Sequence, residues 1–173
     1  MNSKCWTLVL LLLPTSGSAD RVNPIPDTAS IHDIMHHHVM PAADVLWGAT
    51  AIYITIKGED DRSPKNDEEW NTVDQSRIAM EHAIEALLVP GRAVDEPGAA
   101  AEYPEAELDP NEIQELIARE PEVWVAMIHA LDGTIQEAKQ AIKDRNVDSL
   151  RDIGGAIDDA CEACHKHFWY PKP

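Results

Sequence analysis

Four segments of the chain place their apolar residues at alternating steps of three and four, and this spacing constrains the fold more than any other feature. The first stripe runs Ile31, Met35, His38, Ala42, Val45, Ala49, Ile52 and Ile56. The second runs Trp70, Val73, Arg77, Met80, Ile84 and Leu87; the third runs Trp124, Ile128, Leu131, Ile135, Ala138 and Ile142. The fourth runs Val147, Leu150, Gly154, Ile157, Cys161, Cys164 and Phe168. Each stripe is one buried face of an amphipathic helix. No stretch of any length reads as alternating with period two, so the expected class is all-α.

Local punctuation sets the boundaries. Asp27 is the expected cap of a first helix running to about Lys57 and kinked at Pro41, and Gly58 to Pro64 reads as a loop. A second helix is expected from about Asp67 to Val89, ended by Pro90-Gly91. The roughly twenty residues from Pro90 to Asp109 are long for a connection in a compact domain, and read as a crossover or a mobile acidic flap. Asp109-Pro110-Asn111-Glu112 combines a cap, a proline at the first helical position and a capping-box acid. It opens a short helix before Pro121, which starts the third long helix. Asn146 makes the turn into the fourth, which ends near Tyr170-Pro171. There are no repeats and no sign of a second domain.

The first nineteen residues read as a cleavable export signal. Lys4 supplies the positive end, Trp6 to Leu13 the apolar run, and Gly17-Ser18-Ala19 the small-residue cleavage site. The run is far shorter than the roughly 20 residues of a spanning helix, and no other segment is expected to enter a membrane. The mature chain is then a single domain, residues 20–173, in the periplasm. Loss of Lys4 takes the formal charge from −17 to −18. Such a balance excludes nucleic acid as a partner and favours a basic docking surface.

Export removes Cys5 and leaves Cys161 and Cys164, in Cys161-Glu162-Ala163-Cys164-His165. This C-x-x-C-H spacing is the attachment pattern for one covalently bound haem c. Three residues apart on a helix, the two sulfurs share a face and can form thioethers to the two vinyl groups of one porphyrin. His165 follows immediately and can bind the iron. A thioredoxin-like redox pair would need a βαβ setting, which the flanks do not offer. Structural zinc would need a second pair of ligands.

A mature chain of this length, with four bundle helices and C-x-x-C-H on the last, resembles the class II c-type cytochromes, the cytochrome c′ family. The resemblance is carried by Ile153 to Pro171 around the pentapeptide and, more loosely, by Ile34-Met35 through Pro41-Ala42-Ala43-Asp44-Val45-Leu46-Trp47. It implies an antiparallel, up-down-up-down four-helix bundle with Cys161 and Cys164 as thioether sites and His165 as proximal ligand. The family divides at the other face of the iron. High-spin members keep an apolar residue there and bind small gases such as nitric oxide and carbon monoxide. Low-spin members place a methionine there and transfer electrons. Met35 stands about where the low-spin relatives carry their ligand, so the resemblance implies a distal Met35 and a monohaem electron carrier. His38, one turn on along the stripe, is the next choice, and would lower the potential.

Other residues have plainer readings. His36, His37 and His38 lie within the amphipathic pattern, mostly on its solvated face; His32 and His36, four apart, are at most a surface metal pair. Met40 lies off the stripe. Arg77 lies on one, where a guanidinium needs an anion or an outlet to water: it meets a haem propionate, or it snorkels to solvent or pairs with a neighbouring acid. Relatives often carry a basic residue one turn before the distal position, where this chain has Ile31 beside His32. Trp169 and Tyr170 either cover the ring edge or close the bundle, and Gly154 leaves room for a close approach. No nucleophile, paired acid or phosphate loop points to an enzyme. The expected partners are exported or membrane-bound redox proteins, the chain itself being a monomer or homodimer.

Overall fold

A computed structural model describes residues 24–170. The export signal and Pro171 lie outside the described residues. The fold is mostly helical, in agreement with the stripes, with one β-hairpin the stripes did not foresee. Its elements are α1 (Ile31–Ile34), a π-helical turn (Met35–Val39), α2 (Met40–Gly48), β1 (Ile52–Thr55), β2 (Gly58–Asp61), α3 (Asp67–Leu87), α4 (Pro110–Arg119), α5 (Pro121–Lys143) and α6 (Val147–Phe168).

The cap of α1 is Ser30, not Asp27. Ser30 Oγ accepts from the Asp33 N–H at 3.0 Å, and the Ser30 N–H donates to Asp33 Oδ2 at 3.0 Å. This reciprocal box satisfies two groups at once, which a lone Asp27 cannot do. The expected disturbance at Pro41 takes the form of the π turn. A proline lacks its N–H and presses on the carbonyl four residues back. Here the turn before it is widened, with the Met40 N–H donating to Met35 O. The widening also changes the angular step between residues, so the stripe does not run in one phase through this helix.

The helix then ends at Gly48 instead of Lys57. Ala49, Ile52 and Ile56 continue the steps of three and four, but Ile52-Tyr53-Ile54-Thr55-Ile56 is equally a β-branched and aromatic run with isoleucines every second residue. Such short runs satisfy both periods, and side-chain type decides for the strand. The strands pair antiparallel with Ile52 opposite Asp61 and Ile54 opposite Glu59. Gly58 makes the return at φ +114°, a value an L side chain rarely adopts.

The remaining helices begin close to where they are expected, α3 and α6 behind an asparagine cap, α4 behind a capping box and α5 at Pro121 without a side-chain cap. Asn66 Oδ1 accepts from the Glu69 N–H at 3.0 Å to open α3, with Asp67, Glu68 and Glu69 in the first turn. Asp109 and Glu112 form the expected capping box of α4. Between α5 and α6 it is Arg145 that takes the left-handed conformation, φ 52°, while Asn146 caps α6 through the Ser149 N–H. α5 packs along both α6 and α3, and α3 along α2. Their apolar faces meet in one core that includes Ile34, Met80, Ile135, Ile157 and Phe168.

The chain between α3 and α4 is held at both ends. Buried Arg92 donates through Nε to Ala86 O at 2.8 Å, and through Nη1 to Ala29 O and to Asp27 O at 3.2 Å. It thus covers carbonyls at the end of α3 and just before α1. Arg92→Ala strands these acceptors away from water, and is expected to lower stability by about 1.5–3 kcal/mol, read as a shift in urea midpoint at unchanged slope.

Candidate functional site

The last turns of α6 carry Cys161, Cys164 and His165. Cys164 is buried and Cys161 nearly so, both packed against the apolar core. Burial pushes the Cys161 thiol up to about 11, with the Asp158 carboxylate adding to the shift. Burial, then the neighbouring Cys161, pushes Cys164 up to about 12. Both sulfurs are therefore protonated at neutral pH. The pair is suited to being held in an apolar setting. His165 is driven below the usual histidine range by burial, against a smaller opposing pull from Glu162, and presents a neutral imidazole with a free lone pair.

His165 faces a cavity of about 530 Å³. Met35, His32, His36 and Met40 line it from the first helical stretch, and Ile113 and Pro110 from α4. Trp169 and Tyr170, with ring centroids 6.1 and 6.0 Å from the His165 ring, line it beyond the end of α6. The two most prominent residues of the sequence reading, His165 and Met35, thus share one cavity. The two thiols do not line it; they lie beside it on the same helix. A larger hollow of about 690 Å³ lies under the hairpin, against α2 and α3, and its walls hold no cysteine, histidine or methionine.

The rest of the wall comes from the long connection between α3 and α4. Val94, Asp95, Ala100, Ala101, Glu102, Glu107 and Leu108 all line the cavity. The connection is a strap, not a free flap. Ala93 O and Val94 O accept the Ile31 and His32 N–H groups at 2.8 and 2.9 Å, so the strap satisfies donors left over at the start of α1. The Val94 N–H donates to Gln114 Oε1 at 2.8 Å, and the Leu108 N–H donates to Trp169 O at 2.9 Å. The sequence marked this segment only by its length. Nothing in its Ala, Glu, Pro and Gly composition points at His165.

The alternative residues fall elsewhere. His38 is half-buried and does not line the cavity, because the π turn rotates it off the face that Met35 occupies. Burial and the neighbouring His37 hold its pKa low. His36 and His37 are exposed, as expected of a solvated face. The His32 and His36 rings lie 4.5 Å apart, but among the described residues no three His, Cys, Asp or Glu side chains gather into a metal-binding group. Met40, read as lying off the stripe, is half exposed and stands in the cavity wall.

Arg77 is buried on α3 and takes its anions from its own helix. Nε donates to Asp74 Oδ1 at 2.6 Å, and Nη1 lies 2.7 Å from Glu81 Oε2. It does not line the cavity. Of its two readings, the structure favours pairing with neighbouring acids over a propionate: residues three and four away on a helix reach it at no cost in long-range ordering. Gly154 lies against Trp47, whose Nε1 donates to Gly154 O at 3.1 Å, but the approach does not require a glycine. A Cβ there would sit 3.7 Å from Trp47 Cδ1, in ordinary contact.

Compared with known proteins, the chain matches no family model, no curated protein and no solved structure.

Proposed function

We propose that this chain is a periplasmic, monohaem c-type cytochrome of the class II kind, its long helices forming an antiparallel four-helix bundle, and that it carries single electrons between other redox proteins. The observation that carries the reading is a C-x-x-C-H pentapeptide whose histidine is half-buried and faces a cavity that a methionine also lines.

A bound haem would supply a one-electron iron couple. The protein's residues have the remaining tasks. Cys161 and Cys164, protonated and shielded from water, are the attachment points. His165 offers its lone pair from one side, flanked by Trp169 and Tyr170. Met35 offers a thioether from the first helical stretch, a pairing that raises the reduction potential relative to two imidazoles. Ile113, Leu108 and Val94 restrict water, and Asp95, Glu102 and Glu107 make the surround acidic. That charge, added to the overall balance, favours partners with a basic docking face.

The test is the exported protein itself. Produced in a host that attaches haem to exported chains, it is expected to run on a denaturing gel as a band that stains for peroxidase activity. A colourless product, with its thiols free or joined in a disulfide, overturns the proposal.

A further inference from the structure

The hairpin is unusual for its surface. Ile54 is 78% and Ile56 105% exposed, with Ile52 and Tyr53 about half exposed. Tyr53 and Thr55 turn toward the hollow against α2 and α3. By the alternation of a strand, Ile52 and Ile54 therefore point away from the protein. Contiguous exposed apolar side chains of this size mark an interaction surface.

The backbone singles out one edge. The Arg62 N–H donates to Ala51 O at 3.0 Å, which continues the ladder beyond the strands. In an antiparallel ladder the residues alternate, so Ala51, Tyr53 and Thr55 turn their polar groups to β2, while Ile52 and Ile54 turn theirs to the free edge. From Thr50 to Ile56 there is no charged residue, whereas β2 carries Glu59, Asp60 and Asp61. One edge is guarded by charge and the other, among the described residues, is open, and an open, uncharged edge is a template for another strand. A lone two-stranded hairpin is also marginal in water and gains from further strands.

We propose that β1 pairs edge to edge and antiparallel with β1 of a second copy of this chain, giving a four-stranded sheet about a two-fold axis. Charge selects this arrangement. In the order β2-β1-β1-β2 the two acidic strands lie three strand spacings apart, about 14 Å. That exceeds the screening length of about 8 Å at physiological salt. Stacking face to face would instead set Glu59 and Asp61, which share the isoleucine face, about 10 Å from their copies. An anionic lipid surface would meet the same acids. The charged outer edges also stop growth at two copies. A contact of a few residues per copy lies below the size of stable interfaces, so the dimer is weak and concentration-dependent.

The proposal does not rest on the haem reading. The hairpin follows Thr50, whose carbonyl meets Arg151 near the start of α6, while His165 lies near its other end. The sheet therefore leaves the cavity free.

Sedimentation velocity of the exported chain over a wide concentration range is expected to show a monomer passing to a dimer. Ile54→Lys should raise the midpoint concentration tenfold or more with an unchanged circular dichroism spectrum. Val125→Lys, an apolar site on α5 that is 38% exposed, should leave it unchanged. Added salt, by screening the repulsion between two acidic copies, should lower it by no more than a few fold. A monomer at all concentrations, a dimer indifferent to Ile54→Lys, or one strengthened steeply by salt overturns the proposal. So does flotation with phosphatidylglycerol vesicles that is lost in Ile54→Lys, which would assign the hairpin to lipid.

Discussion

Met35→Ala is expected to change the proposed centre from low-spin to high-spin iron that binds carbon monoxide readily. The effect is large because Met35 lines the same cavity as His165 and is the more buried of the two methionines in its wall, Met40 being half exposed. An alanine side chain cannot reach across the space that a methionine fills. The measurement is the oxidised spectrum, which should lose the near-infrared band of a methionine-iron bond. If that band is absent from the unaltered protein and carbon monoxide already binds, the gas-binding reading replaces the electron-carrying one. Should the band persist in Met35→Ala, Met40 becomes the residue to replace. His38→Ala is expected to leave the spectrum unchanged, because His38 faces away from the cavity.

The second large effect is on stability and is independent of any cofactor. Phe168 is fully buried at the end of α6 and meets the Trp124 ring edge-on, with centroids 5.4 Å apart. Trp124 in turn donates through Nε1 to Leu87 O at 3.1 Å, so one aromatic pair ties α6, α5 and α3 together. Phe168→Ala removes most of a large apolar side chain and leaves a void that close-packed helices cannot collapse into. A loss of about 3–5 kcal/mol is expected. Against a typical total of about 5–15 kcal/mol that is a fifth or more of the stability. Urea unfolding checks it, and a loss under about 1 kcal/mol would show the junction to be loosely packed.

How far the fold could be read from residues depended on whether a signal was local. Asp109 with Glu112 forms a cap whose partners lie within three residues, Asn146 marks the turn into the last helix, and α4 and α6 start where these residues stand. The first helix shows the limit. Ser30 outcompeted Asp27 because Asp33 could answer it, and the Ile52–Ile56 run fitted helix and strand spacing alike. Its β-branched content was the deciding cue and was outweighed by a stripe carried on from Val45 and Ala49. At the site, the pentapeptide and Met35 were legible, the first from spacing and the second from a family resemblance. The strap was not, because its bonds to Ile31, His32, Gln114 and Trp169 run mainly through backbone groups, which every residue carries. Arg77 was legible as a buried cation in need of anions; which anions depended on Asp74 and Glu81, both within reach along the same helix.

The strap has a consequence for how the molecule comes into being. Its backbone bonds join Ala93 to Ile31 and Leu108 to Trp169, pairs about sixty residues apart along the chain. Closures of that span are slow and come after local helices have formed. The chamber around His165 is therefore walled in only when the final turn has docked, because the Leu108 N–H is held by the Trp169 carbonyl. A chain cut short just before Trp169 would keep its long helices and its cysteines, yet lose the hook that draws the last wall across.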